Sequence, residues 1–280
     1  DKQEILVNLR NKGKEARQIF WQSKIPFYFR EQAVNLIRYN SLPFFIFQSF
    51  SPQYSLIKAS QTVRLDLLAV LAKANVLAAK SEQEKDLLEK IELFIEFAKE
   101  ENCFDKVREF PSSHSRFIYF QKKGADPNYL AYDDTMFKVI LLSGLPASGK
   151  DTWIKQNNVA NWPIISLDDI RKELKISPKK NQGEVLSESK KRAREFLRAK
   201  QSFIWNATNL MRSRRSQLIE LFTSYKASVK IIYLETTPEE LFRRNSLRQE
   251  PVPKNIIEKM SANLEIPDLT EAQEIEWISE

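Results

Sequence analysis

Over the first 110 residues, apolar positions recur at intervals of three and four. Leu87, Leu88, Ile91, Phe94, Ile95 and Ala98 mark one such face. This rhythm predicts amphipathic helices over 30–39, 56–80 and 85–100, punctuated by Pro26, Pro43, Pro52 and Pro111. Leu42-Pro-Phe-Phe-Ile-Phe47 is too densely apolar for a single helix face, and is expected in the core or, alternatively, as an exposed patch that docks a partner. Gln121 to Asn128 is polar and rich in turn formers, so it reads as a linker between an all-α domain at 1–128 and a second domain at 129–280. Beyond it the period changes. Short runs of β formers at 137–143, 162–167, 202–207 and 229–234 alternate with helical stretches at 150–157, 168–175, 184–200, 212–225, 238–247 and 254–263. That alternation predicts an α/β domain with a parallel sheet covered by helices on both faces. Ligands of such sheets bind beyond the carboxyl ends of the strands.

The first of these strands leads into Gly144-Leu-Pro-Ala-Ser-Gly149-Lys150-Asp151-Thr152, which has the P-loop spacing G-x-x-x-x-G-K. A strand before it and a helix after it are the context that the motif needs. Backbone N–H groups around Gly144, Ala147, Ser148 and Gly149 would cradle phosphate at the positive end of that helix, and Lys150 would reach the β- and γ-phosphates. The plainer alternative is a glycine-containing turn that binds nothing. Only five glycines occur in 280 residues, and two of them are here. The residue after the lysine departs from the motif: Asp151 stands where Ser or Thr is usual.

Composition narrows the function classes. A 42% apolar content with 18 Phe supplies a core for one large or two ordinary domains. One cysteine, Cys103, excludes a disulfide framework and fits a reducing, cytoplasmic setting. No apolar run approaches the roughly 18–20 residues that span a bilayer, and no signal peptide is visible; no membrane association is expected. The chain does not begin with Met, which fits a fragment of a longer protein. Its single histidine, His114, makes histidine-rich metal centres and Ser–His–Asp triads improbable within the chain. Within Pro111-Ser-Ser-His-Ser-Arg it reads as a solvated loop residue. The net charge of +7 leans toward a polyanionic partner. The last sixteen residues hold six acids and no base, and without them residues 129–280 would carry 24 basic against 15 acidic groups.

Three further stretches carry candidate chemistry. Asp168, at the end of the second predicted strand, could cap the helix that follows or, with Arg171 three residues on, take a proton from a hydroxyl while Arg171 holds a neighbouring phosphate. Trp205-Asn-Ala-Thr208-Asn209-Leu ends the third strand in small polar groups, which could orient phosphate or a metal-bound water, or form an ordinary turn; Arg212, Arg214 and Arg215 follow. Phe242-Arg-Arg244-Asn-Ser-Leu-Arg248 is a basic helix end, either a solvated face or a lid whose arginines meet a transferring phosphoryl group.

The ordered set of P-loop 144–152, Trp153, Asp168-Asp169-Ile-Arg171, Ala207-Thr-Asn209 with Arg214 and Arg215, and Arg244-Asn-Ser-x-Arg248 before Val252-Pro253 resembles the 5′-hydroxyl polynucleotide kinases, across residues 136–264. The resemblance implies a P-loop kinase using ATP and Mg²⁺ on 5′-OH ends of RNA or DNA in nucleic-acid repair, with a repair ligase as a candidate partner. It implies Asp168 as general base, Lys150 on the ATP phosphates, Arg171, Thr208 and Asn209 on the substrate, and Arg244 and Arg248 in the lid, with Arg248 catalytic. Asp151 either ligates the metal or leaves that task to the hydroxyl of Thr152. Ala207 stands where the phage enzyme has Asp, so no role is carried to it. Rival readings are a P-loop kinase of a small hydroxyl compound and a non-catalytic nucleotide-dependent binding module.

The N-terminal part resembles the later portion of the HD-type helical domain that bacterial repair proteins join to this kinase. The residues concerned are Arg30-Glu-Gln-Ala, Leu36-Ile-Arg-Tyr-Asn40-Ser-Leu-Pro43 and Leu65-Asp-Leu-Leu-Ala-Val-Leu-Ala-Lys-Ala-Asn75. That pattern has His at position 40 and Asp at 75, and both are Asn here. With one His, no phosphatase metal centre can be built from these residues. Either the HD motif lies upstream or the domain is a degenerate scaffold.

Overall fold

The computed structural model describes residues 2–80, 82–122, 124–158, 160–177 and 182–279, with side chains from residue 11 onward. The chain divides into two compact units, one ending at Leu130 and one beginning at Ala131.

The first unit is helical: α1 (Lys2–Gln22), α2 (Phe27–Tyr39), α3 (Leu42–Phe45), a 3₁₀ turn (Ile46–Gln48), α4 (Pro52–Ser60), α5 (Leu65–Ala79), α6 (Glu84–Glu100) and α7 (Ser113–Gln121). The periodic residues Ile91, Phe94, Ile95 and Ala98 of α6 pack on Leu65, Leu68, Ala72 and Val76 of α5, and buried Cys103 closes that core. Against the other side of this unit, Arg17 of α1 grips Glu31 of α2 through two nitrogens, and the buried Arg30 shares the same carboxylate at 2.8 Å. Asn40 and Asn75 meet, with the Asn75 amide donating to Asn40 Oδ1 at 3.2 Å.

Three expectations need correction here. The stretch 56–80 is two helices, because Gln61 to Arg64 leave the helical path and α5 restarts at Leu65. The 42–47 run divides its residues: Pro43 and Ile46 are buried, whereas Phe45 and Phe47 are exposed. His114 is not a solvated loop residue; it is buried in the first turn of α7, where the Ser112 hydroxyl accepts from Ser115 N at 2.9 Å and starts the helix. Serines that cap a helix look like a turn when read as sequence alone.

The second unit is an α/β domain: β1 (Phe137–Ser143), α8 (Lys150–Asn157), β2 (Ile164–Ser166), α9 (Leu167–Glu173), α10 (Gln182–Arg198), β3 (Phe203–Asn206), α11 (Arg212–Thr223), β4 (Ala227–Glu235), α12 (Pro238–Ser246), α13 (Lys254–Ala262) and β5 (Glu274–Ser279). The sheet has five strands in the order β2-β3-β1-β4-β5, all parallel. Central strands β1, β3 and β4 are near-continuous apolar runs, as burial on both faces requires. β1 sits between β3 and β4, so the loop after it opens at the middle of the rim where all five strands end.

β5 comes from the acidic tail, which looks too charged for a strand. It is an edge strand, where charged residues are tolerated. Glu274 pairs with Lys138 and Glu276 with Lys230, both at 2.7 Å, across the outer face of the sheet. Two other acids of the tail turn inward: Glu271 is buried against Arg215, and Asp268 holds Arg212. These four acids thus meet basic side chains by direct contact.

A phosphate cradle and its polar rim as the candidate active site

Hydrogen bonds from the neighbouring strand ends shape the loop after β1. Gly144 N donates to Thr208 O at 2.9 Å, and the Ser143 hydroxyl donates to Asn209 O at 3.1 Å. The Asn209 side chain reaches back to Leu142 O at 2.6 Å. Gly144 has φ +152, and a Cβ there would lie 2.4 Å from Leu234 O and 2.6 Å from Ser148 Oγ, so only glycine fits. Ala147 follows in the left-handed region at φ +64, and Gly149, at φ +101, caps α8. The chain thus curls its N–H groups toward one point before it enters the helix.

Two polar groups at this loop lack a counterpart suited to them: a buried hydroxyl with no partner among the described residues and an ammonium held only by carbonyls. The Ser148 hydroxyl is buried and has no hydrogen-bond partner among the described residues. Lys150 Nζ folds onto the loop's own carbonyls, Gly144 O at 3.0 Å and Leu145 O at 2.7 Å. Burial, reinforced by Arg248, pulls the Lys150 ammonium down to about 8, against the opposing pull of Asp151 and Asp168. Those couplings bring the P-loop, the start of α9 and the segment after α12 into one electrostatic neighbourhood. An orphan hydroxyl, a space closed to any Cβ and a partly desolvated ammonium are what a bound phosphate would complete.

Asp151 is exposed at the first turn of α8, and its Oδ1 accepts from Asn206 Nδ2 at 2.8 Å. Thr152 follows it, also exposed. At the end of β2 the cap of α9 is Ser166, whose hydroxyl accepts from Asp169 N at 3.2 Å. Asp168 is thereby left out of the capping role that its position suggests. Its exposed carboxylate pairs with Arg171, which also donates to Gln182 at 3.0 Å and keeps a buried Nε without a partner.

On the other flank of the loop, Arg244 lies beside Gly149, 3.5 Å from where a Cβ would be, and its Nε donates to Glu240 at 2.6 Å. Arg243 holds the same carboxylate from outside, and the two guanidinium groups keep the Glu240 carboxyl down at about 2. The turn that carries Arg248 is closed by Asn245, which bonds Val252 O at 2.8 Å and Val252 N at 3.1 Å.

The rim therefore gathers Gly144, Ala147, Ser148, Gly149, Lys150 and Asp151, with Asp168 and Arg248 within electrostatic reach of Lys150. Arg244 lies against it, and Arg171 is joined to it through Asp168. Thr208 and Asn209 serve the loop from behind, through a carbonyl and an amide that bond to β1 and its loop, and their visible contacts are with the fold. Arg215 is wholly buried, and Arg214 is exposed with no side-chain partner among the described residues. The sequence marked Asn206 only as one of the polar groups after Trp205, within the strand predicted over 202–207, and gave Glu240 no motif, although it stands three residues after the helix-capping Thr237.

Residues 139–267 match the profile of a family described as AAA domain. An L-seryl-tRNA(Sec) kinase of Methanococcus maripaludis is 26% identical over 136 residues, which is 46% of this chain and 53% of the relative. The heterogeneous nuclear ribonucleoprotein U-like protein 2 of Mus musculus is 26% identical over 189 residues, 61% of this chain and 25% of the relative. The chain thus spans about half of the first relative's length and a quarter of the second's. A solved structure described as a putative kinase from Chloroflexus aurantiacus aligns with 52% of this chain and 86% of its own at a TM-score of 0.44 and 18% identity. The sheet order and the loop geometry give residues 131–280 the architecture of a P-loop α/β domain, preceded in sequence by a helical region, and the profile match at 139–267 falls within it.

Proposed function

We propose that the chain is an ATP-dependent kinase that phosphorylates the 5′-hydroxyl end of RNA or DNA. The reading is carried by the juxtaposition of Asp168, with its partner Arg171, and the electrostatic neighbourhood of Lys150 and Arg248. A nucleotide binder needs only the cradle. A carboxylate aimed into solvent beside it, with a guanidinium three residues on, is suited to an acceptor that carries both a hydroxyl and a phosphate. The match to a kinase named for a tRNA-borne seryl group supports an acceptor hydroxyl attached to nucleic acid.

In the proposed reaction Asp168 accepts the proton of the terminal hydroxyl. Its oxygen bonds to the γ-phosphorus while the bond from that phosphorus to the β–γ bridging oxygen breaks, and ADP leaves with the electron pair. Lys150 and Arg248 meet the charge spread over the transferring oxygens, and Arg244, held by Glu240, supports the loop at Gly149. Arg171 orients the acceptor through its flanking phosphate. Asp151 is the residue that would hold magnesium, which, when bound, neutralises phosphate charge and orients the donor.

The test is transfer of labelled γ-phosphate to a 5′-OH oligonucleotide. Asp168→Ala is expected to lower kcat about 10²–10⁴-fold, the range for loss of a general base, and Lys150→Ala to lower it about 10²–10³-fold. Full activity in Asp168→Ala would sink the general-base assignment. A rate indifferent to the acceptor's flanking 3′-phosphate would favour a small hydroxyl compound as substrate instead.

A further inference from the structure

We propose that the P-loop itself supplies the carboxylate of the magnesium site in this chain: Asp151 provides it, and Asn206 at the end of β3 positions it. The inference rests on the nucleotide-dependent reading above. In P-loop phosphotransferases the metal is held by the hydroxyl that follows the P-loop lysine and by an aspartate on a neighbouring strand. Here β3 is the hydrogen-bonded neighbour of β1, with Leu141 opposite Trp205, and Asn206 is its last residue. The P-loop position carries a carboxylate, and the strand end that meets it carries a neutral amide.

The contact between them gives each residue a role. Asn206 Nδ2 donates to Asp151 Oδ1 at 2.8 Å. An aspartate at 206 would set two carboxylates at that distance, where like charges repel. An amide there removes the repulsion and fixes the Asp151 side chain in one orientation. The second carboxylate oxygen bonds no other described side chain, and the residue is exposed beside the cradle. Magnesium is commonly held by one or two carboxylates together with substrate phosphates, so one well-oriented carboxylate suffices. Among the described residues no group of three or more acids, histidines or cysteines offers a rival site. The plainer role for Asp151, a negative charge at the N-terminus of α8, requires no partner at 206.

The readout is the factor by which Mg²⁺ tightens ADP binding, measured by calorimetry with and without the metal, with Mn²⁺ binding followed by electron paramagnetic resonance. Asn206→Ala is expected to cost about tenfold in metal affinity, as loss of an outer-shell partner does. Asp151→Ser should lose most of the metal-dependent gain while metal-free ADP binding persists on the cradle. Asn206→Asp alone should also weaken the gain, and the double variant Asp151→Ser/Asn206→Asp should recover most of it. Recovery in the double variant is the distinguishing result, since a charge acting only on the helix cannot be restored from β3. A wild-type metal gain in Asp151→Ser, or losses in the two single variants that simply add, would overturn the proposal and leave the kinase reading intact. Wild-type protein that binds no nucleotide would sink that reading and this inference with it.

Discussion

Arg215 and Arg171 both follow strands of the same sheet, and they have opposite fates. Arg215, in the first turn of α11, is fully buried; it takes Glu271 through two nitrogens at 2.7 and 2.8 Å and also bonds the carbonyls of Asn209, Leu210 and Glu265. Each of its three guanidinium nitrogens is spent on closing the C-terminal tail over the turn behind the P-loop. Arg171, after β2, has one exposed carboxylate, one glutamine and an unsatisfied buried Nε. Arg248 acts on Lys150 through space, and Arg244 rests on Gly149. Positive charge in this chain thus serves two ends, and what separates them is whether an acid buried with the arginine consumes its donors. The net charge of +7 distinguishes neither.

The sharpest way to break this comparison is to remove the buried partner. Arg215→Met leaves the buried Glu271 carboxylate with only the more distant Arg212, at 3.8 Å, as counter-charge, and is expected to cost the α/β unit about 3–5 kcal/mol. Adding Glu271→Leu should return most of that loss, because a buried pair replaced by apolar side chains is often neutral or stabilising. Urea unfolding can be followed separately in the two units. In a Trp21→Phe background, Trp153, Trp162, Trp205 and Trp277 report on the second unit, and alkylation of Cys103, whose thiol burial pushes up to about 12, reports on the first. A loss below about 1 kcal/mol in Arg215→Met would mean that Arg215 is not the anchor its bonds suggest.

The same contrast explains what could be read without the structure. The parallel α/β architecture was legible because buried strands are unbroken apolar runs and the helices between them keep their period. The cradle was legible because Gly144, Gly149 and Lys150 answer to local backbone geometry. β5 was not, since Glu274-Ile-Glu-Trp-Ile-Ser gains its strand only by pairing with β4 and placing its acids on Lys138 and Lys230. Arg215 was counted among the site's basic residues because its burial depends on Glu271, 56 positions away. Asn206 and Asp151 are 55 positions apart, and only the sheet brings the amide to the carboxylate. What stayed hidden was contact over long sequence separation, where polar residues lose their local meaning.

Removing Arg171 should produce the complementary result with a smaller energy. Arg171→Ala leaves Asp168 exposed to water, so stability is expected to change by no more than about 0.5 kcal/mol. KM for a 5′-OH oligonucleotide with a flanking phosphate should rise about tenfold or more, as expected on losing a hydrogen bond to a charged group. An acceptor without that phosphate should be used equally by wild type and variant. An unchanged KM on both acceptors would remove Arg171 from the substrate and leave it as a partner of Asp168 alone.

The smallest effect is a proton. Arginines stay charged at any ordinary pH, so of Lys150, Arg171, Arg244 and Arg248 only Lys150 can titrate near neutrality. Its ammonium falls from an ordinary 10.5 to about 8 in the fold, chiefly through burial. Between those values the unfolded chain binds the proton and the folded chain does not, so this group makes stability rise with pH through that window. Below pH 8 the ammonium is charged in both states and its burial cost is fully present. A phosphate placed against it supplies the missing counter-charge and draws its proton affinity back up. ADP binding should therefore take up protons near pH 8.5 and much less at pH 7. Calorimetry in buffers of different ionisation enthalpy reads this directly. Lys150→Met should abolish the uptake and Arg171→Ala should leave it untouched, whereas uptake that survives in Lys150→Met would assign the proton to another group and detach Lys150 from the phosphate.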